Sequence, residues 1–316
     1  FIIFLLCTST QLFAQNEASF WYFGRNAGLR FDASSNTVTA VNDGEINTLE
    51  GCTSISDTDG NLLFYSDGIT VWNSQHAIMQ NGTGLKGDPS STSSGLIVPK
   101  PQDPNIYYIF TVDEPHHFNT SNPAFSGQTD GDGVNDGLMY TKITMNEGGG
   151  LGAVDAIEKN VPLITYDPTN PLESELKCSE KITAVKADDC TSFWVITHFV
   201  DSFYAFKVTE NGVSIDENGV NIGPVISTFD TSDGDNLIVP ASGYRKNALG
   251  YIKASPDGTK LVVAHHGFED TQAGNDAPGG VYLFDFDNDS GLISNPLELY
   301  SPSEGNSPYG VEFSAN

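Results

Sequence analysis

Basic side chains are scarce. Only 14 Lys and Arg stand against 41 Asp and Glu among 316 residues, a formal net charge of −27. Neutralising phosphates takes clustered cations, so nucleic acid and anionic membrane surfaces are excluded as partners. Long apolar runs are lacking too. Phe1-Ile-Ile-Phe-Leu-Leu6 gives way at once to Cys7-Thr-Ser-Thr-Gln11, far short of the roughly 20 residues that a membrane span needs. Residues 1–14 read instead as a shortened secretory signal peptide with Ala14 at the cleavage point. The expected location is secreted or on the outer cell surface, with no membrane insertion once the signal is removed.

Cysteine is sparse: beyond Cys7 there are Cys52, Cys178 and Cys190, an odd number with no CxxC spacing. An extended run separates Cys178 from Cys190, and at ~3.3 Å per residue it carries them well past the ~7 Å limit for bridged Cα atoms. Zinc and redox pairs are therefore excluded, and three thiols are expected. Sustained 3.6-residue periodicity is absent. So are a GxSxG elbow, a HExxH helix and a P-loop.

What the sequence has in abundance is turn chemistry, with 32 Gly and 16 Pro, set between short apolar stretches. One grammar recurs: an apolar strand, a turn of Asp, Gly, Pro or Asn, then a second apolar and aromatic strand. The copies are Cys52–Asp57 into Asn61–Tyr65, Leu96–Lys100 into Ile106–Phe110, Ile182–Lys186 into Phe193–Ile196, and Tyr251–Ser255 into Lys260–Ala264. Tyr309–Asn316 matches the first half of a fifth. A third strand follows each pair, as in Leu138–Ile143, Phe203–Val208 and Val281–Phe286, and Ile69–Trp72 fills the same slot. Short strands bounded by turns predict all-β structure.

Stacked β-sandwiches also offer many evenly spaced strands. Recurrence of the same parts in the same order favours a β-propeller of four-stranded antiparallel blades. Residues 20–316 are then an incomplete propeller domain, about four full blades plus partial ones, truncated from a six- to eight-bladed ring. With strands a to d numbered outward, the tight turns fall between b and c and between d and the next a. The long segments Glu114–Asp136 and His265–Gly279 then become c–d connections, and Pro162–Lys177 and Gly223–Ala248 a–b connections. A face built from a–b and c–d loops is the expected binding face.

These motifs carry a resemblance. Trp21-Tyr-Phe-Gly24, Leu29-Arg-Phe-Asp32, Glu50–Asp57, Gly60–Gly68, Val71-Trp-Asn73 and Tyr107–Asp113 resemble the amino-terminal, WD40-like propeller region of secreted surface proteins associated with gliding motility. Glu180–Val185, Trp194–His198 and Ser255–Gly258 continue the likeness across nearly all of the chain after the signal peptide. The resemblance implies a surface location and, in the family, a further carboxy-terminal domain that directs type IX secretion. It implies no defined ligand or activity.

Thr129–Gly137 matches DxDGxxD through Asp130, Asp132 and Asp136, oxygen donors at a spacing that suits calcium. A solvated acidic insert has the same composition. Histidines 116, 117, 198, 265 and 266 fall near the ends of strands, but adjacent residues of a strand point to opposite faces. Trp21, Trp72 and Trp194 sit inside strand motifs and are expected to pack between blades. The sequence thus points to a non-catalytic binding or adhesion module with an extracellular glycan or protein as partner. A secreted propeller hydrolase, glycosidase- or lactonase-like and holding calcium, is the alternative.

Overall fold

A computed structural model describes residues 16–115, 135–229, 248–267, 279–300 and 307–314. Almost every ordered element is a strand, and the strands group into five antiparallel meanders. Sheet I holds β1 (Phe20–Phe23), β2 (Ala27–Asp32) and β3 (Thr37–Val41). Sheet II holds β4 (Thr53–Ser56), β5 (Leu62–Ser66), β6 (Thr70–Asn73) and β7 (Ile78–Thr83). Sheet III holds β8 (Gly95–Pro99), β9 (Ile106–Val112), β10 (Leu138–Thr144) and β11 (Ala153–Val154), with β12 (Val161–Leu163) beside β10. Sheets II and III are tied at their outer edges by a parallel pairing of Gln80 with Ala153.

Sheet IV contains β13 (Ile182–Lys186), β14 (Phe193–Phe199), β15 (Ser202–Thr209) and β16 (Gly212–Val213), and β17 (Val225–Thr228) also pairs with β15. Sheet V contains β18 (Ile252–Ala254), β19 (Lys260–His265), β20 (Gly280–Asp287) and β21 (Leu292–Tyr300). One short helix, Pro171–Leu176, is capped by the Asn170 side chain. The fold is a β-propeller of antiparallel blades.

The first strand of each meander lies innermost. It forms one edge of its sheet, and these edges touch in succession: β1 with β4, β4 with β8, β8 with β13, β13 with β18. This corrects the strand lettering drawn from the sequence by one step. The tight turns join a to b and c to d, and the long connections 113–137 and 266–279 join b to c. Segments 164–181 and 229–251 run from an outer strand to the next inner one. The decorated rim is therefore the b–c and d–a rim, not an a–b and c–d face. In an antiparallel meander, alternate connections lie at opposite ends, so the division into a decorated and a trimmed rim survives the correction.

The a–b turns of sheets II, IV and V share one mechanism. Asp57 Oδ1 accepts from the amides of Asp59 and Asn61 at 2.9 and 2.8 Å, and Asp189 Oδ1 from those of Thr191 and Ser192 at 2.8 and 2.7 Å. Asp257 Oδ1 takes the amide of Thr259 at 3.1 Å. Such side chains mimic a backbone turn. One residue per turn is left-handed: Gly60 at φ 84°, Gly258 at φ 71°, and Cys190, with φ 60°, in the same place. Cys190 thus serves as a turn residue. It and Cys52 are half-buried, Cys178 is wholly buried, and the three form no disulfide with one another.

Successive sheets bury apolar faces against each other. Trp194, Ile196 and Phe203 of sheet IV meet Leu261, Tyr282 and Phe284 of sheet V, with Phe203 and Phe284 edge to face at 4.8 Å between centroids. Sheets III and IV join through Tyr108, Phe110, Val195 and Phe206, and sheets II and III through Phe64, Val71, Tyr107 and Ile109. Tyr22 of sheet I stacks on Tyr65 of sheet II at 4.6 Å. The tryptophans divide. Trp194 is buried, its Nε1 donating to the Asn288 carbonyl at 2.8 Å, whereas Trp21 is 50% exposed on the outer face of sheet I.

Candidate functional site

Because the inner strands of sheets II to V occupy the same place in meanders of the same sense, the residues just before them gather at one end of the axis, on the decorated rim. Glu50 precedes β4, Thr92 precedes β8, Glu180 and Lys181 precede β13, and Tyr251 precedes β18. Tyr309 joins them from far along the chain. Its hydroxyl donates to Glu50 Oε2 at 2.5 Å and lies 2.8 Å from Thr92 Oγ1. Thr92 in turn donates its amide, at 2.8 Å, and its hydroxyl, at 2.7 Å, to Glu180 Oε2. The amide of Tyr251 donates to the Tyr309 carbonyl at 3.0 Å, and the rings of Tyr251 and His266 stand edge-on to the Tyr309 ring. Hydrogen bonds thus run from sheet II through Tyr309 to sheets III and IV.

Beneath this chain the polar groups are buried. Glu180 and Lys181 are inaccessible to solvent, and His198 and His265 are each 2% exposed. Lys181 Nζ donates to the Ala248 carbonyl at 2.8 Å, and Thr197 Oγ1 donates to the Lys181 carbonyl at 2.6 Å. Burial lowers the Lys181 ammonium to about 7, the neighbouring Glu180 carboxylate pulling the other way. Burial, reinforced by Lys181, lowers His198 to about 3. Its imidazole is therefore neutral and lies 5.0 Å, centroid to centroid, from that of His265. Burial first, and then the hydrogen bond to Glu50, raise the Tyr309 phenol, which stays protonated. Desolvation likewise raises the Cys178 thiol, which is inert beside the Asp113 carbonyl at 3.6 Å.

The exposed Glu50 carboxylate and the half-buried Tyr251, His266 and Tyr309 side chains above them can accept and donate hydrogen bonds to a hydroxyl-rich ligand. Of the sequence-predicted calcium donors, Asp130 and Asp132 lie outside the described residues. Asp136 is ion-paired with Lys86 at 2.9 Å, and its amide donates to Asp113 Oδ2 at 2.6 Å. His116 and His117 also lie outside the described residues. Among those described, no group of three or more His, Cys, Asp and Glu side chains could hold a metal ion. Nor is any helix there long and apolar enough to cross a membrane.

The axial residues were not singled out by any motif. Their only signal is positional: Glu50, Thr92, Glu180 and Tyr251 stand one to three residues before an inner strand, and that signal requires the correct strand lettering.

No family model matches the chain, and no curated protein matches it. Solved structures do. The periplasmic gluconolactonase of Pseudomonas aeruginosa is 13% identical at a TM-score of 0.38, over 89% of this chain and 64% of its own. A hypothetical selenium-binding protein of Sulfolobus tokodaii is 10% identical at 0.35, over 93% and 59%. An exo-β-1,3-galactanase of Phanerochaete chrysosporium is 13% identical at 0.33, over 91% and 50%. This chain thus spans less than two thirds of the length of each. The fold assignment rests on the five meanders themselves.

Proposed function

We propose that this chain is a non-catalytic binding propeller of an exported cell-surface protein, and that it recognises a glycan at the axial end of the decorated rim. The observation that supports this reading is the convergence of Glu50, Thr92, Glu180, Tyr251 and Tyr309, drawn from separate repeats into one hydrogen-bonded group. Polar groups of alternating donor and acceptor character beside aromatic rings suit a polyhydroxylated ligand. The likeness to gliding-associated surface proteins and the apolar leader support a place outside the cell, with type IX secretion as the route.

A secreted hydrolase is the second reading, favoured by one observation: a buried lysine lowered to about 7 beside a buried carboxylate, a pattern that also occurs at catalytic sites. Glycan-array binding by the parent chain, compared with Glu50→Gln and Thr92→Val, tests the first reading. Binding lost in both variants but kept in the tight-turn variant Asp59→Ala is the expected result. Binding kept in both axial variants would move the site elsewhere. Release of product from a polysaccharide or lactone panel, abolished by Lys181→Met, would establish the hydrolase instead.

A further inference from the structure

The outer face of sheet I, on which Trp21 lies, ends in a cavity of about 310 Å³. The cavity sits between the short helical turn Asn16–Ala18 and the hairpin that joins β2 to β3, and Asn16, Ser19, Phe31, Asp32, Asn36 and Val38 line it. Asn16 Nδ2 donates to the Thr58 carbonyl at 2.8 Å. Thr58 belongs to the a–b turn of sheet II, so the cavity opens on the trimmed rim, away from the axial group. Phe31 and its cross-strand partner Val38 form the apolar wall. The Phe31 ring stands 4.9 Å from that of Trp21, which is 50% exposed, and the two rings make a ledge that leads into the cavity.

Both sides of the cavity are fixed by hydrogen bonds. In the hairpin, Asp32 Oδ1 accepts from the Ser34 amide at 2.9 Å, the Ser34 hydroxyl at 2.6 Å and the Ser35 amide at 3.1 Å. These bonds, led by that of the Ser34 hydroxyl, lower the carboxyl to about 2 and keep it ionised. All three go to Oδ1, so Oδ2 keeps its capacity to accept. Asn36 follows at φ 52°, a left-handed position that asparagine tolerates. On the other side the Phe31 amide donates to the Ser19 carbonyl at 2.8 Å, and the Ser19 amide to the Asn16 carbonyl at 3.0 Å.

The lining selects by chemistry. An anion would meet the Asp32 carboxylate with no lysine or arginine among the lining residues to offset it. A calcium ion would find a single carboxylate there, too few charged oxygens for a site. A wholly apolar ligand would cover Asp32 and the Asn36 amide without giving them hydrogen bonds. A neutral sugar answers both halves of the lining, because one side of its ring is C–H and its periphery is hydroxyls that donate and accept. The volume lies at the low end of the roughly 300–1,000 Å³ of small-molecule sites and suits one ring. We propose that this cavity is a carbohydrate site separate from the axial group, holding a neutral sugar ring with its C–H side on Trp21 and Phe31 and its hydroxyls on Asp32 and Asn36.

Ligand-observed NMR titration tests this, with glucose, galactose, mannose, N-acetylglucosamine, cellobiose and lactose as probes. Each is taken to about 100 mM, because a site for one ring holds its sugar in the millimolar range. Saturable binding of at least one probe is expected, weakened about tenfold or more in Trp21→Ala and in Asp32→Asn and unchanged in Glu50→Gln. Asp32→Asn keeps an Oδ1 for the hairpin while removing the charge. Asn36→Gly, which carries no strain at that φ, should weaken binding to the same degree, so a loss shared by the three variants with unaltered circular dichroism is not a failure to fold. Absence of binding by every probe overturns the proposal. So does binding that stays within about threefold of the parent in both Trp21→Ala and Asp32→Asn. If that binding were lost in Glu50→Gln, the axial group would be the sugar site and the cavity would not.

Discussion

Replacing Lys181 with Met should flatten the alkaline limb of the stability curve. The ammonium is inaccessible, and burial lowers it from the ordinary 10.5 to about 7 in the folded chain. Between those two values the unfolded chain holds a proton that the folded chain releases, so stability rises with pH across the window. The charged form is penalised in full below pH 7, and the penalty is gone above 10.5. A folded value near 7 makes this group worth about 2 kcal/mol of added stability between pH 7 and pH 9. The substitution should leave the backbone in place. The Thr197 hydroxyl bonds the main-chain carbonyl of residue 181, and the Ala248 carbonyl still accepts from the Glu180 amide at 3.3 Å. Urea unfolding of both proteins at pH 7, 8 and 9 gives the comparison. The parent curve should rise by about 2 kcal/mol relative to the variant. Parallel curves would show that Lys181 keeps an ordinary ammonium, and the account of a desolvated axial end would fail.

Three further outcomes are expected. His198, lowered to about 3 by burial, is neutral in the folded chain, while the unfolded chain binds a proton below 6.5; stability therefore falls with acid, and His198→Gln should escape about 3 kcal/mol of that loss between pH 7 and pH 4 in urea titrations. Phe284→Ala removes a ring that is 1% exposed and packed on Phe203 and Phe229, and should cost about 3–5 kcal/mol in chemical denaturation. Tyr309→Phe deletes the hydroxyl that joins Glu50 to Thr92 and should cost about 1 kcal/mol, seen as a lowered melting temperature with unchanged circular dichroism.

The strands were legible because period-two apolar stretches between Asp, Gly and Pro turns leave little choice. The four predicted pairs became β4 with β5, β8 with β9, β13 with β14 and β18 with β19. Their radial order was misread, since alternation reports a buried face and not a distance from the axis. A better cue was present: Tyr107–Val112 and Trp194–Phe199 are buried at every position, as a strand must be when sheets cover both its faces and strands both its edges. β8 and β13, by contrast, are buried only in part. Trp21 was misassigned for a related reason, because a strand at the end of the series has a neighbour on one face alone. The axial site was illegible. Glu50, Glu180, Tyr251 and Tyr309 each open a stretch that the sequence marks, but nothing in the sequence says that these starts meet, and only the convergence of the inner strands brings them together with Thr92.

The assembly of each sheet from one unbroken stretch bears on how the molecule comes into being. Sheet II is complete within residues 53–83 and sheet IV within 182–228, so little loop entropy is spent before strands begin to pair. Each meander can therefore form as soon as its own residues are available, and the next packs against a face already made, in the nearest-neighbour manner of a repeat array. For a polypeptide delivered one end first, folding would run in step with delivery. A defect in one turn would stall a single meander, and the sheets before it would stand.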